Sequence, residues 1–209
     1  MGFGTKTQGK YCYIIGNKVC EKVIAGTQGA VKRLNKKNEE VYELQYDNLS
    51  GYLKSINIKD GMFGKEWLFT LEDNGEKFQL QVPYSSKQAK CILFCLPNID
   101  LNKEIVISPF SKEVDGKTKS GVFVNQDREG VKWAYTKDSP NGLPQMKKIK
   151  VKGVETWDDT DQLEFLEKSI AQIMTVDWSK VETKTQAPVE AIPSSSQTEA
   201  PDEDSDLPF

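Results

Sequence analysis

Residues 66–82 read EWLFTLEDNGEKFQLQV, and the Asn74-Gly75 pair at their centre decides how the surrounding chain is read. Asn-Gly between two alternating apolar runs is the strongest short-range signal for a two-residue type I′ hairpin, whose central residues both need positive φ. Pairing outward from that turn sets Leu71 opposite Phe78, Phe69 opposite Leu80 and Trp67 opposite Val82. Six apolar side chains then share one face, which must be the core. The opposite face carries Leu68, Thr70, Lys77, Gln79 and Gln81, a polar surface suited to a ligand.

Runs of the same kind flank this hairpin. VYELQY (41–46), YLKSINI (52–58), EIVISPF (104–110), SGVFVNQ (120–126) and VKWAYT (131–136) are short, aromatic and β-branched, with turn residues between them. SSKQAKCILFCL (85–96) reads as one short helix or buried connector bounded by Pro83 and Pro97. A helix between the third and fourth strands of a set resembles an OB-like antiparallel β-barrel, so the fold class is mainly β. WDDTDQLEFLEKSIAQIM then reads as an amphipathic helix over about 158–174, with Leu163, Leu166, Ile170, Ile173 and Met174 on one stripe. Residues 1–180 form the expected domain. Residues 181–201, rich in Pro, Ser, Thr, Ala and Glu without aromatics, form an expected disordered linker to an acidic tip at 202–209.

Composition narrows the chemistry. The 209 residues contain no histidine, which removes Ser-His-Asp and Cys-His catalysis and His-ligated zinc. Cys12, Cys20, Cys91 and Cys95 suit a reducing compartment and read as core residues, so neither metal nor cofactor is expected. GTKTQGKY (4–11) imitates a phosphate-binding loop, but Tyr11 stands where the Mg²⁺-holding hydroxyl belongs and no strand precedes it. Asp158, Asp159, Asp161 and Glu164 are what a helix N-terminus attracts, and only as a weaker alternative a carboxylate metal site. The expectation is a non-enzyme without catalytic residues. No apolar run reaches membrane-spanning length and no leader is read at the start, so the chain is expected in the cytoplasm with no membrane partner.

The formal net charge of −3 conceals a polarity: residues 1–153 carry +8, residues 154–180 carry −5 and residues 181–209 carry −6. A basic body followed by acidic segments points to a polyanion partner and a tail that competes with it. On the body, a two- or four-residue loop at DREG sets Val122 and Val124 with Trp133 and Tyr135. Phe123 then faces away, beside Lys132, where it can stack a base. KDGMFGKEW lifts Met62 and Phe63 to a loop tip flanked by Lys59 and Lys65. SKEVDGKTKSG supplies Lys112, Lys117 and Lys119 from a loop, and Lys77 and Gln79 lie on the polar hairpin face. MKKIKVKG, with Lys147, Lys148, Lys150 and Lys152, reads as a basic edge strand.

The final stretch, DEDSDLPF, resembles the acidic tip of bacterial and phage single-stranded DNA-binding proteins, which end in an acidic run followed by Ile or Leu, Pro and Phe. Leu207, Pro208 and Phe209 match that tip position by position, and Asp202, Glu203, Asp204 and Asp206 match its character. The body carries no signature of the family, its length exceeds the bacterial type and the linker is not Gly/Gln-rich, which favours a divergent phage version. The resemblance implies a protein that coats single-stranded DNA in a bacterial cytoplasm, phage-infected where the version is a phage one. It also implies that residues 202–209 recruit replication, recombination or repair proteins. A strand-annealing or polymerase-associated accessory is the nearest alternative. A virion or structural protein and a carboxylate-metal nuclease are more distant ones.

Overall fold

The computed structural model describes residues 9–175 apart from Lys36, Met62, Asp115 and Lys152. The linker at 181–201, the tip at 202–209 and most of GTKTQGKY lie outside those residues. Twelve strands and two α-helices are described: β1 (Lys10–Ile15), β2 (Lys18–Val23), β3 (Val31–Leu34), β4 (Glu40–Tyr46), β5 (Leu49–Gly61), β6 (Gly64–Asp73), β7 (Glu76–Pro83), α1 (Lys87–Cys95), β8 (Ile105–Val114), β9 (Lys117–Gln126), β10 (Glu129–Gly130), β11 (Lys147–Val151), β12 (Val154–Asp158) and α2 (Thr160–Thr175).

The central hairpin forms in the register its turn dictates. Asn74 and Gly75 take φ of 48° and 81°, and Leu71 faces Phe78, Phe69 faces Leu80 and Trp67 faces Val82. Five of the six apolar side chains are fully buried and Phe78 is half-buried at the margin. Ten strands then line up in the order β10-β9-β8-β5-β6-β7-β1-β2-β4-β3, while β11 and β12 form a separate pair. The expected antiparallel barrel is therefore corrected to an open mixed sheet. Its one parallel pairing, Lys10 to Phe78 through Tyr13 to Gln81, attaches β1 where a barrel would close. The sheet curls enough to bring β2 alongside β8 without pairing, and the core fills the inside of that curl.

The α1 helix starts where Ser86 Oγ accepts from Ala89 N–H, and it buries Ala89 and Cys91 to Cys95 against the sheet. All four cysteines are buried free thiols. Residues 131–136 are not a strand. The Asp127-Arg128 turn holds two residues with positive φ, and the ladder continues only to the Val131 N–H bond with Val124. Beyond it the chain turns onto α1: Ala134 N–H donates to Phe94 O, and the Trp133 and Tyr135 rings meet the Phe94 ring edge-on. The second helix begins at Thr160 instead of 158, because Val154–Asp158 pairs with β11. Its stripe is as expected, with Leu163, Leu166 and Ile170 buried and Ile173 and Met174 half-buried. Among the described residues no helix is long and apolar enough to cross a membrane.

Candidate nucleic-acid interface

The outer face of the sheet, opposite the core, collects side chains from five strands by strict alternation. Lys77, Gln79 and Gln81 of β7 stand on it beside Leu68 and Thr70 of β6, and Ser55, Asn57 and Lys59 of β5 continue it. On the other side Tyr11 and Tyr13 of β1 pair with Gln79 and Gln81, and Glu43 of β4 lies further out. A bulge between Leu53 and Ser55 resets the parity of β5, so Tyr52 also faces outward, opposite Glu72.

Two exposed tyrosines on this face each have a lysine over the ring. Lys54 Nζ lies 5.3 Å from the Tyr52 centroid and Lys59 Nζ lies 5.7 Å from the Tyr11 centroid. The second contact is informative about shape, because β6 and β7 separate the strands of Lys59 and Tyr11. Three strand spacings amount to about 14 Å, so the side chains meet only where the twisted sheet dishes toward them. A saddle satisfies both curvatures, wrapping the core along one diagonal and forming a trough along the other. Within the trough Gln79 Oε1 is buried and has no hydrogen-bond partner among the described residues.

A buried ionic group anchors the far side of the trough. The Glu43 carboxylate is fully buried, and its Oε1 accepts from Arg33 Nε at 2.6 Å and from the Tyr13 hydroxyl. Burial by itself would raise the Glu43 carboxyl, but the Arg33 and Tyr13 hydrogen bonds outweigh it and hold the group below the usual carboxylate range. Burial and the carboxylate neighbour push the Tyr13 phenol up, and the Glu43 hydrogen bond raises Arg33.

The structure divides the residues expected to meet nucleic acid. Lys59, Lys77 and Gln79 share the trough, and Phe63 stands 87% exposed at the β5–β6 tip beside it. Lys65 has the parity of Trp67 and leaves the group, its ammonium lying 5.4 Å from the Tyr84 ring on the opposite face. Lys112, Lys117 and Lys119 sit not in a loop but along the β8–β9 arm, with Lys112 directly opposite Lys119. That arm leaves β5 in the direction opposite to the β5–β6 tip, since Leu49 pairs with Ile107 and Gly51 with Ile105. Phe123 faces away from the buried Val122 and Val124 as expected, and the correction concerns its neighbours. It is half-buried with its ring stacked on Phe110 at 4.5 Å, and Lys132 is not across from it because the ladder has ended. Tyr11, Tyr52 and Lys54 were missed, although the Tyr-Cys-Tyr alternation of KYCYII is a visible strand signal.

The acids at the start of α2 are engaged structurally. Asp158 accepts from the Thr160 hydroxyl at 2.6 Å and from its N–H, which together hold the Asp158 carboxyl below its ordinary value. Asp159 pairs with Lys90 at 2.8 Å, and Asp161 pairs with Lys147. Searches against protein-family models, curated proteins and solved structures find no match.

Proposed function

We propose that this chain is a single-stranded DNA-binding protein that coats exposed strands with little sequence preference and recruits partner proteins through residues 202–209. The observation that carries the reading is the trough, where Tyr11 and Tyr52 stand exposed under Lys59 and Lys54 on an otherwise polar sheet face. Stacking on an aromatic is tolerant of base identity, and ammonium groups beside each ring meet the phosphates that follow. Among the described residues Lys54, Lys59 and Lys77 have no carboxylate within ion-pair distance, whereas Lys10, Lys18, Lys32 and Lys103 do.

Two further features support the reading. The five strands β9-β8-β5-β6-β7, with α1 inserted between the third and fourth in chain order, are the arrangement expected of an OB-like unit. The ligand-facing sheet of such a unit would be the face that carries Lys77 and Gln79. The DEDSDLPF stretch resembles the partner-docking tip of the same class of protein, with Phe209 as an apolar anchor and Asp202 to Asp206 steering it to basic pockets.

Titration with oligo-dT, with duplex and in rising salt, followed by tryptophan fluorescence, tests the proposal. Preference for single strands with a steep salt dependence is expected, and equal affinity for duplex would refute it. Deleting residues 207–209 is expected to leave DNA affinity unchanged or slightly higher while abolishing partner recruitment.

A further inference from the structure

The β11–β12 hairpin stands apart from the ten-stranded sheet and is unusually exposed for an element with so much apolar surface. Trp157 is 47% exposed and Val154 69%, with Ile149 also open. Its register sets Lys148 opposite Trp157 and Lys150 opposite Glu155, so Lys148, Lys150 and Trp157 share one face. Lys148 Nζ lies 5.1 Å from the Trp157 ring. A two-stranded hairpin alone is marginal, and this one is anchored at its base. Lys147 pairs with Asp161 of α2, and the Asp158 carboxylate next to Trp157 is held by Thr160 at the helix start. The ring is thus presented beside the start of α2, with a cation over it and a second basic side chain, opposite Glu155, one step along the same face.

We propose that this hairpin is a second contact for single-stranded nucleic acid, with Trp157 stacking a base and Lys148 and Lys150 meeting the flanking phosphates. The inference rests on the function proposed above and extends its site beyond the trough. The pattern repeats the chemistry of Tyr11 and Tyr52, an exposed ring beneath a lysine. Lys148 and Lys150 on the face of Trp157, with Glu155 the acid across from Lys150 and Lys147 already paired to Asp161, make a polyanion the occupant that fits, in preference to an apolar protein surface.

The test uses the full chain. Photo-crosslinking to oligo-dT carrying 5-iodouracil, with the modified peptide located by mass spectrometry, is expected to place an adduct on Trp157. W157A is expected to weaken binding of a long oligonucleotide by about tenfold while W157F keeps most of the affinity. K148A/K150A is expected to reduce the salt slope by about 0.7 per lysine. If the unaltered protein fails to bind oligo-dT, the parent reading falls and this one with it. If it binds, but no adduct forms at Trp157 and W157A binds equally well, the hairpin proposal alone is overturned. A change in oligomeric mass in W157A with unchanged DNA affinity overturns it too, in favour of a protein contact. Should W157A fail to fold, the crosslink position on the unaltered chain decides.

Discussion

Removing the Arg33 side chain should expose how much the N-terminal strands depend on one buried charge. In Arg33→Ala the Glu43 carboxylate loses the two Arg33 donors and keeps the Tyr13 hydroxyl on Oε1, while among the described residues Oε2 has no hydrogen-bond partner in the parent. Breaking a buried pair from one side costs about 3–5 kcal/mol. The Arg33 side chain is one-third exposed, so water fills part of the gap and we expect about 2–4 kcal/mol. At about 2–4 °C per kcal/mol for a domain of this size, the midpoint should fall by about 10 °C. Urea and thermal melts followed by tryptophan fluorescence read this directly.

The pH dependence has a defined sign. In the parent the folded Glu43 lies below its unfolded value, so its stabilisation is present above the ordinary glutamate range and is lost as pH falls through the folded value. In Arg33→Ala, burial acts without its counterweight and raises the carboxyl, so acidification relieves the variant by protonating it. The stability gap between parent and variant should therefore narrow between about pH 7 and about pH 5. Adding Glu43→Gln to the variant should recover part of the loss. A loss below about 0.5 kcal/mol, or a gap that widens on acidification, would refute the reasoning.

Other expectations follow from single contacts. Tyr11→Ala and Tyr52→Ala should each weaken oligo-dT binding by about 5- to 100-fold, on stacking magnitudes, with melting midpoints nearly unchanged; normal affinity in both would remove the trough from the site. In Gly121→Ala the new methyl would come within 2.8 Å of Phe110 Cζ and 3.4 Å of Cys91 Sγ, displacing the ring that stacks on Phe123. A cost of about 1–3 kcal/mol is expected in a urea melt, and a neutral effect would show that the ring yields freely. Burial pushes the Cys12 thiol up to about 11 and the Cys95 thiol up to about 12. Iodoacetamide at about pH 8 should spare both in the native protein and label both in urea; rapid native labelling would contradict the packing.

What could be read in advance was what local chemistry specifies. The Asn74-Gly75 turn fixed one register, and that register fixed which face of two strands is buried. The 3.6-residue stripe of α2 was equally local. The trough was harder to see because β1 reaches β7 by a parallel pairing, which leaves no turn between the partners to announce it. Residues 131–136 alternate like a strand, yet the Phe94 ring and carbonyl compete successfully for Trp133, Tyr135 and the Ala134 N–H. Phe123 had the right parity and still found a partner in Phe110, a contact between adjacent strands that parity alone does not reveal. Lys59 and Lys65 looked equivalent around one tip, and only their position relative to Trp67 separates them.

The parallel attachment of β1 also constrains the order in which the molecule can be built. Lys10 cannot find its partner until Phe78 has been synthesised, and β2 and β4 add to the sheet only through β1. Such non-local, parallel pairings form slowly compared with hairpins. The β1-β2-β4-β3 part of the sheet therefore keeps one edge open until β7 is made, and the β6–β7 hairpin supplies the strand that closes it. A chain stopped before Glu76 keeps every tyrosine and lysine of β1 to β5 but lacks β7, the strand that joins β1 to β6 and so brings the two groups onto one face.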